Sequence, residues 1–218
     1  MSPPPCHVPL ILDVPPMTAA EHIARDDEFM RSVGRGDLPP HLRLYSCTDE
    51  CVILGRSQSP DENVDLEACR ADGIPVLTRF SGGGTVFVTR GCLIYSVVFT
   101  PGAAVKAYDV QGAYRHVLST AIDSLRRLTI PVEFYPPCDL AVGGRKIAGN
   151  AQAQKRGAIL VHGSFLIDAD IERIARYVRE PIDAPAYRVG RRPADVLYNH
   201  SGLASRKEIA WAQEEGRA

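Results

Sequence analysis

A glycine-rich segment at residues 143–150, with the sequence GGRKIAGN, constrains this chain more than any other stretch. It surrounds one cation, Lys146, with more glycine than an ordinary strand tolerates. Apolar runs at residues 138–142 and 158–163 predict a strand that enters the segment and one that returns after it. We therefore expect Lys146 on or beside a hairpin, where the amine points into a site that a ligand can approach closely. The competing interpretation is a solvated lysine on a hairpin.

The other apolar patterns predict strands and helices without a strict strand–helix repeat. Helical spacing predicts helices at residues 18–33, 64–72, 105–128 and 171–178, and Thr18 and Glu21 have the form of a capping box at the start of the first. Alternation and compact apolar runs predict strands at residues 41–46, 51–55, 74–77, 85–89, 92–100 and 132–135. Turn residues at 48–50 predict that the first two of these strands pair with each other. Runs of strands interrupted by helices favour an α+β fold with a mixed, mainly antiparallel sheet and packed helices.

One domain accounts for this pattern. We expect an N-terminal arm at residues 1–17, a domain at residues 18–198, and a C-terminal tail at residues 199–218 that contains a weak helix at 205–214. The chain has no internal repeat, no low-complexity linker and no shift in composition that would mark a second domain.

Composition and charge exclude several classes of function. The formal net charge of -1 gives no general attraction to nucleic acid or to an anionic membrane, so local groups must hold any anionic ligand. The six cysteines form no C-x-x-C pair and no zinc-like spacing with histidine, which predicts reduced thiols in a cytoplasmic protein and no metal site. No stretch has the pattern of a signal peptide or of a membrane-spanning helix.

Three consecutive glycines at residues 82–84 form a second notable segment, within the sequence RFSGGGTVF from Arg79 to Phe87. Backbone N–H groups with no side chains in the way make a cradle for phosphate or carboxylate oxygens, and the guanidinium of Arg79 suits an anion. The segment matches neither a P-loop nor a dinucleotide fingerprint. The alternatives are a strained turn between strands and a surface arginine.

Several polar residues near these segments are further candidates. Asp139 and Asn150 either orient Lys146 and a nucleotide or only cap turns. His162 either hydrogen-bonds to the loop or a ligand or is a buried core histidine. Cys138 is a nucleophile if a nearby cation lowers the pKa of its thiol, and otherwise a small buried residue.

Together, these segments resemble the signature segments of the lipoate-protein ligase A family. The resemblance rests on RFSGGGTVF, on GRKIAGN at residues 144–150 and on His162–Gly163, which occur in the family's order and at similar separations. The sequence GRSQ at residues 55–58 supports it, and it extends from about Thr18 to about Tyr198. It implies the biotin/lipoate protein ligase catalytic-domain fold.

The resemblance also implies an activity. This family condenses lipoate with ATP and transfers the lipoyl group from lipoyl-AMP to a lysine of a lipoyl domain. Mg²⁺ is expected with the ATP, held either by the protein or only by the nucleotide. Lys146 matches the catalytic lysine that contacts the lipoyl carboxylate and the α-phosphate, where a fixed ammonium stabilises developing charge. The implied substrate- and nucleotide-binding positions are Arg79, Ser81, Gly82, Gly83, Gly84, Thr85, Val86, Phe87, Asp139, Gly149, Asn150, His162 and Gly163.

The chain departs from the family pattern at several positions. Thr78 stands where many members have an arginine, Val88 and Thr89 replace a common His-Asp pair, and Cys92 takes the place of a frequent asparagine. We also expect no accessory C-terminal domain of the kind that some ligases carry. The partners expected are therefore lipoyl domains and, for the adenylation step, either a separate accessory-domain protein or none.

Three other functions compete with the ligase. The main one is a cysteine-dependent transferase that moves octanoate or lipoate from a carrier protein. No segment resembles the cysteine motifs of those enzymes, and Cys138 does not lie at a matching position. A biotin ligase is disfavoured because its arginine- and glycine-rich loop is absent, and a non-catalytic lipoyl-binding protein is the third alternative. The sequence thus favours an ATP-dependent lipoate-protein ligase.

Overall fold

The computed structural model describes residues 10–11, 14–180 and 185–199. The helices of this part of the chain are α1 (Ala19–Arg35), α2 (Pro60–Asn63), α3 (Leu66–Ala71), α4 (Val110–Arg127), α5 (Ile171–Tyr177) and α6 (Pro193–Val196). None of these helices is long and apolar enough to cross a bilayer. The weak helix expected at 205–214 lies outside the described residues.

Ten strands form two sheets in the described residues. The strands are β1 (Leu10–Ile11), β2 (His41–Tyr45), β3 (Cys51–Leu54), β4 (Val76–Thr78), β5 (Val86–Val88), β6 (Cys92–Phe99), β7 (Val132–Tyr135), β8 (Asp139–Val142), β9 (Arg145–Lys155) and β10 (Ala158–Leu166). Seven of them form the main sheet in the order β1-β2-β6-β10-β9-β8-β7, and the other three form a small sheet in the order β4-β3-β5. All neighbours in the main sheet run antiparallel except β1 and β2. The predicted α+β class with a mixed, mainly antiparallel sheet is confirmed.

The predicted pairing of the first two strands is wrong. Strand β2 pairs with β6 in the main sheet, whereas β3 lies between β4 and β5 in the small one. The short connection at residues 48–50 therefore carries the chain from one sheet to the other and does not close a hairpin. All four residues of β3 are buried. As the central strand of the small sheet, β3 has a hydrogen-bonded neighbour on each side.

Local capping explains where the helices begin. Thr18 and Glu21 form a reciprocal capping box at α1, as the sequence predicts. Helix α4 begins at Val110, five positions after the predicted start, because Asp109 accepts a hydrogen bond from Gly112 N at 2.7 Å and fixes the N-terminus there.

Helices cover both faces of the main sheet. Leu118 and Leu125 of α4 pack into the large core on one face, together with Phe165 of β10. On the other face, Met30 and Val33 of α1 pack against apolar side chains of β6 and β10. A ligand site on the α1 face must therefore lie between that helix, the sheet and the loops around them.

A buried ion pair fixes α1 on this face. Arg43 of β2 is paired with Asp26 of α1, and both side chains are only 2% exposed. Asp26 also accepts a hydrogen bond from Ser96 Oγ at 2.6 Å, and its second oxygen lies 3.1 Å from His162 Nδ1. Burial alone raises the pKa of Asp26, but the bond with His162 and the charge of Arg43 outweigh it and leave the pKa below its ordinary value.

We expect Arg43→Met to destabilise the fold by about 3–5 kcal/mol, because it leaves the Asp26 carboxylate buried without its countercharge. This deficit relative to the wild type should shrink as the pH falls, since protonation removes the unpaired charge. Urea unfolding at a series of pH values, from neutral down to below the ordinary pKa of an aspartate, measures both effects. The double variant Arg43→Met/Asp26→Asn should recover much of the loss, and a double variant no more stable than Arg43→Met would contradict the role assigned to the pair.

Candidate functional site

A cavity of about 460 Å³ lies between α1, the main sheet, the small sheet and the segment at residues 185–197. Its floor includes a row of residues that lie side by side on β2, β6, β10, β9 and β8: Tyr45, Ile94, Ser164, Gly149 and Asp139. The row joins an apolar end at Tyr45 to a charged end at Asp139.

Lys146 lies at the charged end of this row. Gly143 and Gly144 adopt positive φ angles of 55° and 70°, which form the turn that leads from β8 into β9. The ammonium of Lys146, whose side chain is 17% exposed, lies 2.8 Å from Asp139 Oδ1. A Cβ atom at Gly149 would lie 2.7 Å from Lys146 Nζ, so only glycine leaves room for the ammonium above the sheet. The amine therefore faces the cavity and not open solvent.

The C-terminal part of the described chain closes this end of the cavity. Tyr187 donates a hydrogen bond to Asp139 Oδ2 at 2.6 Å, and Arg188 lies 3.6 Å from the same oxygen. Tyr198 N donates to the carbonyl of Lys146 at 2.8 Å. Asp139 is thus a shared anion that holds Lys146 and the segment at 185–197 together.

Asn150 fixes the backbone beside the lysine. Its side-chain carbonyl accepts a hydrogen bond from Tyr95, and its Nδ2 donates to the carbonyl of Cys138 at 2.6 Å. A Cβ atom at Gly163 would lie 2.1 Å from Asn150 Oδ1, which explains the glycine at that position. Asn150 therefore positions the turn that carries Cys138.

Cys138 is half-buried and lines the cavity near Lys146. Burial and the charge of Asp139 raise the pKa of its thiol above the ordinary value. Lys146, a hydrogen bond from the backbone N–H of Asn150 and the charge of Arg79 lower it in part. The thiol is therefore mostly protonated at neutral pH in the ligand-free protein.

Arg79 holds the glycine loop, which we define as residues 81–84. Its guanidinium donates to Ser81 Oγ (2.9 Å), Ile53 O (3.3 Å), Gly82 O (2.7 Å) and Gly84 O (2.7 Å). Burial lowers the pKa of Arg79 to about 10, so the side chain remains charged at neutral pH. Four donations to the protein itself make this side chain a clamp on the loop.

A chain of polar contacts connects the glycine loop to α1. Ser81 Oγ lies 2.7 Å from His162 Nε2, and His162 Nδ1 lies 3.1 Å from Asp26 Oδ2. A carboxylate only accepts, so Nδ1 carries a proton and, in the neutral ring, Nε2 accepts from Ser81. His162 is thus the link between the buried ion pair and the loop.

The structure brings most of the predicted site residues to one cavity. Arg79, Gly83, Gly84, Thr85, Val86, Phe87, Asp139, Lys146, Gly149, Asn150, His162 and Gly163 all line it. Ser81 and Gly82 do not line it: Ser81 is fully buried, and Gly82 N donates to Gln152 O at 3.0 Å. The nucleotide-binding and substrate-binding roles of these residues stay predictions.

Three residues with clear contacts in the site were missed from the sequence. Tyr187 and Arg188 reach Asp139 from more than 45 positions away along the chain, and His22 enters the cavity from α1. The only signals were a cluster of arginines after residue 187 and a histidine within an amphipathic helix. Neither pattern distinguishes a site residue from an exposed or packed one.

The α+β architecture with its mainly antiparallel sheet matches the fold of the lipoate-protein ligase catalytic domains. Residues 18–197 match the family model of the Lipoyl protein ligase A/B catalytic domain. The chain belongs to this family, and the resemblance seen in the sequence is confirmed.

Relatives within the family carry out more than one reaction. The chain is 34% identical over 199 residues to "Octanoyltransferase LipM" of Symbiobacterium thermophilum, covering 82% of this chain and 72% of the relative. It is 31% identical over 223 residues to the protein of the same name from Kyrpidia tusciae, covering 92% and 81%. A solved bipartite lipoate protein ligase from Thermoplasma acidophilum, studied with its E2 lipoyl domain, superposes with a TM-score of 0.79 and 25% identity, covering 96% of this chain and 82% of that one.

These relatives correct the functional expectation. The sequence favours an ATP-dependent lipoate-protein ligase, and that assignment is wrong: octanoyltransferases match this chain better and more often than ligases do. The protein is an enzyme of the lipoate ligase and transferase family, and its chemistry concerns lipoate-related protein modification. The family includes relatives named as octanoyltransferases and relatives named as lipoate-protein ligases, so membership of the family does not separate the two reactions.

Arg79→Lys should loosen the glycine loop. The ammonium of a lysine cannot reproduce the four hydrogen bonds that the planar guanidinium of Arg79 donates. Backbone amides at residues 82–85 should therefore exchange with deuterium at least about tenfold faster. Hydrogen exchange read by mass spectrometry measures this. Arg70→Lys, on an exposed position of α3, is the matched control. Equal protection in the wild type and Arg79→Lys would show that the clamp does not hold the loop.

Proposed function

We propose that this protein transfers an octanoyl group from a thioester donor to a lysine of a lipoyl domain, through a thioester on Cys138. The octanoyltransferases among its relatives support the reaction class. The acceptor is inferred from the ligase of similar fold that acts with an E2 lipoyl domain. The proposal needs no nucleotide, because a thioester donor is already activated for acyl transfer.

The observation that carries the proposal is that Cys138 and Lys146 line one cavity. Of the five cysteines that the structure describes, only Cys47 and Cys138 line it, and Cys138 is close enough to Lys146 for the ammonium to lower the pKa of its thiol. Linear motifs do not reveal this arrangement, because the hairpin between β8 and β9 folds the lysine back over the cysteine turn.

The reaction has two balanced steps. The thiolate of Cys138 attacks the donor carbonyl, a new C–S bond forms, the donor C–S bond breaks, and the donor thiol leaves with the proton that Cys138 gave up. The ε-amine of the acceptor lysine then attacks the acyl-enzyme, the amide C–N bond forms, and the C–S bond to Cys138 breaks. The amine proton returns to the cysteine.

Lys146 has the position to stabilise both steps. In each step, negative charge develops on the carbonyl oxygen, and a fixed ammonium beside Cys138 stabilises that charge without reorganising. The ion pair with Asp139 and the room left by Gly149 hold the ammonium in place before the acyl group arrives. The same residue thus serves transfer chemistry as readily as the adenylate chemistry that its motif first suggested.

Cys138→Ala should abolish octanoyl transfer in the absence of ATP. The assay combines purified protein, an octanoyl-carrier protein and a lipoyl domain, and intact-mass spectrometry reads the octanoyl group on the enzyme and on the acceptor. We expect an acyl-enzyme and a modified lipoyl domain with the wild type and neither with Cys138→Ala. Cys69→Ala is the matched control, since this buried cysteine of α3 does not line the cavity and should keep full transfer.

Two outcomes contradict this proposal in different ways. Transfer that requires free octanoate and ATP would exclude the thioester route altogether. Full transfer by Cys138→Ala would retain the reaction but exclude the covalent intermediate on this residue.

The rate at which Cys138 is acylated should increase as the pH rises through the neutral range. The pKa of the thiol is raised above its ordinary value, and only the thiolate attacks, so the single-turnover rate should still be rising at about pH 8.5, the ordinary cysteine pKa. Lys146→Met removes a charge that lowers this pKa, so its profile should be displaced to higher pH. Single-turnover acylation followed by intact mass gives both profiles. A plateau near pH 7 would show that Cys138 is already ionised.

A further inference from the structure

The apolar end of the cavity lies away from Lys146, between α1, β2 and the small sheet. Its apolar lining residues belong to one packed cluster: Ala19, Ile23, Tyr45, Cys47, Ile53, Val88 and Ile94. Tyr45 is 9% exposed, so part of this residue remains accessible at the end of the cavity. The lining suits a hydrocarbon chain whose carbonyl lies at the charged end.

The floor of the cavity rises along the row of residues that crosses the main sheet. Gly149 has no side chain and Ser164 has a small one, whereas Ile94 and then Tyr45 carry progressively larger ones. Residues directly opposite each other on neighbouring strands point to the same face, so these four positions form one line above the sheet. The floor is therefore lowest beside Lys146 and highest at Tyr45.

The ring of Tyr45 is held by two neighbours. It stacks on the ring of His22 with the centroids 3.7 Å apart, and the guanidinium carbon of Arg43 lies 4.7 Å from the centroid of the tyrosine ring. Arg43 is paired with the buried Asp26, and its Nη1 lies 3.4 Å from His22 Nδ1. A guanidinium only donates, so Nδ1 is the acceptor in that contact. A ring packed in this way cannot turn aside for a ligand without breaking these contacts.

The spacing of the strands gives the length of the cavity. Gly149, directly below the Lys146 ammonium, is three strands away from Tyr45 in the same row, which is roughly 14 Å at the usual strand spacing. A carbonyl oxygen that accepts from the ammonium takes up roughly 3 Å of this distance. The seven C–C bonds of an extended eight-carbon acyl chain span roughly 9 Å. The terminal methyl group of such a chain therefore reaches the side chain of Tyr45.

We propose that Tyr45 is a specificity-determining residue that limits the acyl chain to about eight carbons. Its ring is the end wall of the cavity. A chain of that length lies over Ser164 and Ile94, whereas a longer chain has to displace the ring or move its carbonyl away from Lys146. This inference rests on the proposed function in one respect, namely that an acyl chain occupies the cavity, and it gives a physical reason for a preference for the octanoyl group.

The energetic reason is that affinity grows with chain length only while further carbons enter the cavity. Each methylene group that moves from water into an apolar site tightens binding by about fourfold. Carbons that meet a packed wall gain nothing, because a close-packed interior does not make room for extra volume without strain. The dissociation constant should therefore fall with chain length up to the wall and then stop falling.

The test compares the binding of three free acids, hexanoate, octanoate and dodecanoate, by isothermal titration calorimetry on the full chain. We expect the wild type to bind octanoate at least about tenfold more tightly than hexanoate, and dodecanoate no more tightly than octanoate. Tyr45→Ala removes the wall, so the ratio of the dodecanoate to the octanoate dissociation constant should fall by at least about tenfold. Tyr45→Leu, which shortens the side chain but keeps it apolar, should lower this ratio in the same direction and serves if Tyr45→Ala does not fold.

Two control variants separate the end wall from the rest of the lining. Tyr45→Phe keeps the ring on His22 and loses only the hydroxyl group, so the ratio should equal that of the wild type. Ile94→Ala is the matched control for a lost apolar side chain. Ile94 lies one strand before Tyr45 in the row, so this variant should weaken the binding of octanoate and dodecanoate alike and leave their ratio unchanged.

Several results would overturn the role of Tyr45. These are a wild type that binds dodecanoate at least about tenfold more tightly than octanoate, an unchanged ratio in the Tyr45→Ala or Tyr45→Leu variant that folds, an equal fall of the ratio in Ile94→Ala, and binding of none of the acids. The expected ratios combined with no acyl transfer in any assay would exclude the proposed function and leave the wall intact. Octanoyl transfer combined with unchanged ratios would do the reverse.

Discussion

The geometry of the site depends on one buried carboxylate, Asp26. It pairs with Arg43 of the sheet and accepts a hydrogen bond from Ser96, so it fixes α1 against β2 and β6. Through His162 it also reaches Ser81 at the start of the glycine loop. A buried charge requires all of its partners at once, because the loss of any one of them leaves part of the charge unsatisfied. The positions of the helix, the sheet and the loop are therefore coupled through this residue.

The same network separates the two ends of the cavity. Arg43 is oriented by Asp26, and it in turn keeps the Nδ1 atom of His22 in its accepting role. At the other end, Asp139 accepts from Tyr187 and pairs with Lys146 and Arg188, so three donors share a second carboxylate. One carboxylate thus organises the apolar end of the cavity and the other organises the charged end, with a row of strands of fixed spacing between them.

Local signals in the sequence were sufficient for part of this structure. The capping box of α1 and the glycine-bearing turn before Lys146 depend on residues a few positions apart, and both were predicted. The pairing of β2 with β6 was not predicted, because the choice of a partner strand depends on the whole sheet. Contacts such as His162 with Asp26 join residues 136 positions apart, and no local pattern encodes them. Arg79 shows the same limit, since a sequence does not reveal whether a guanidinium donates to a ligand or to its own loop.

The functional error has a comparable physical origin. An ammonium held by a carboxylate over a glycine stabilises negative charge on an acyl carbonyl whether the leaving group is a phosphate or a thiol. If Lys146 acts as proposed, the motif around it specifies the place of the reaction and the sign of the charge that develops, but not the leaving group. In the proposed transfer reaction, a second group at the same place distinguishes transfer from adenylation. Cys138 lies in a turn that Asn150 holds beside the lysine, and that arrangement exists only once β8 and β9 have paired.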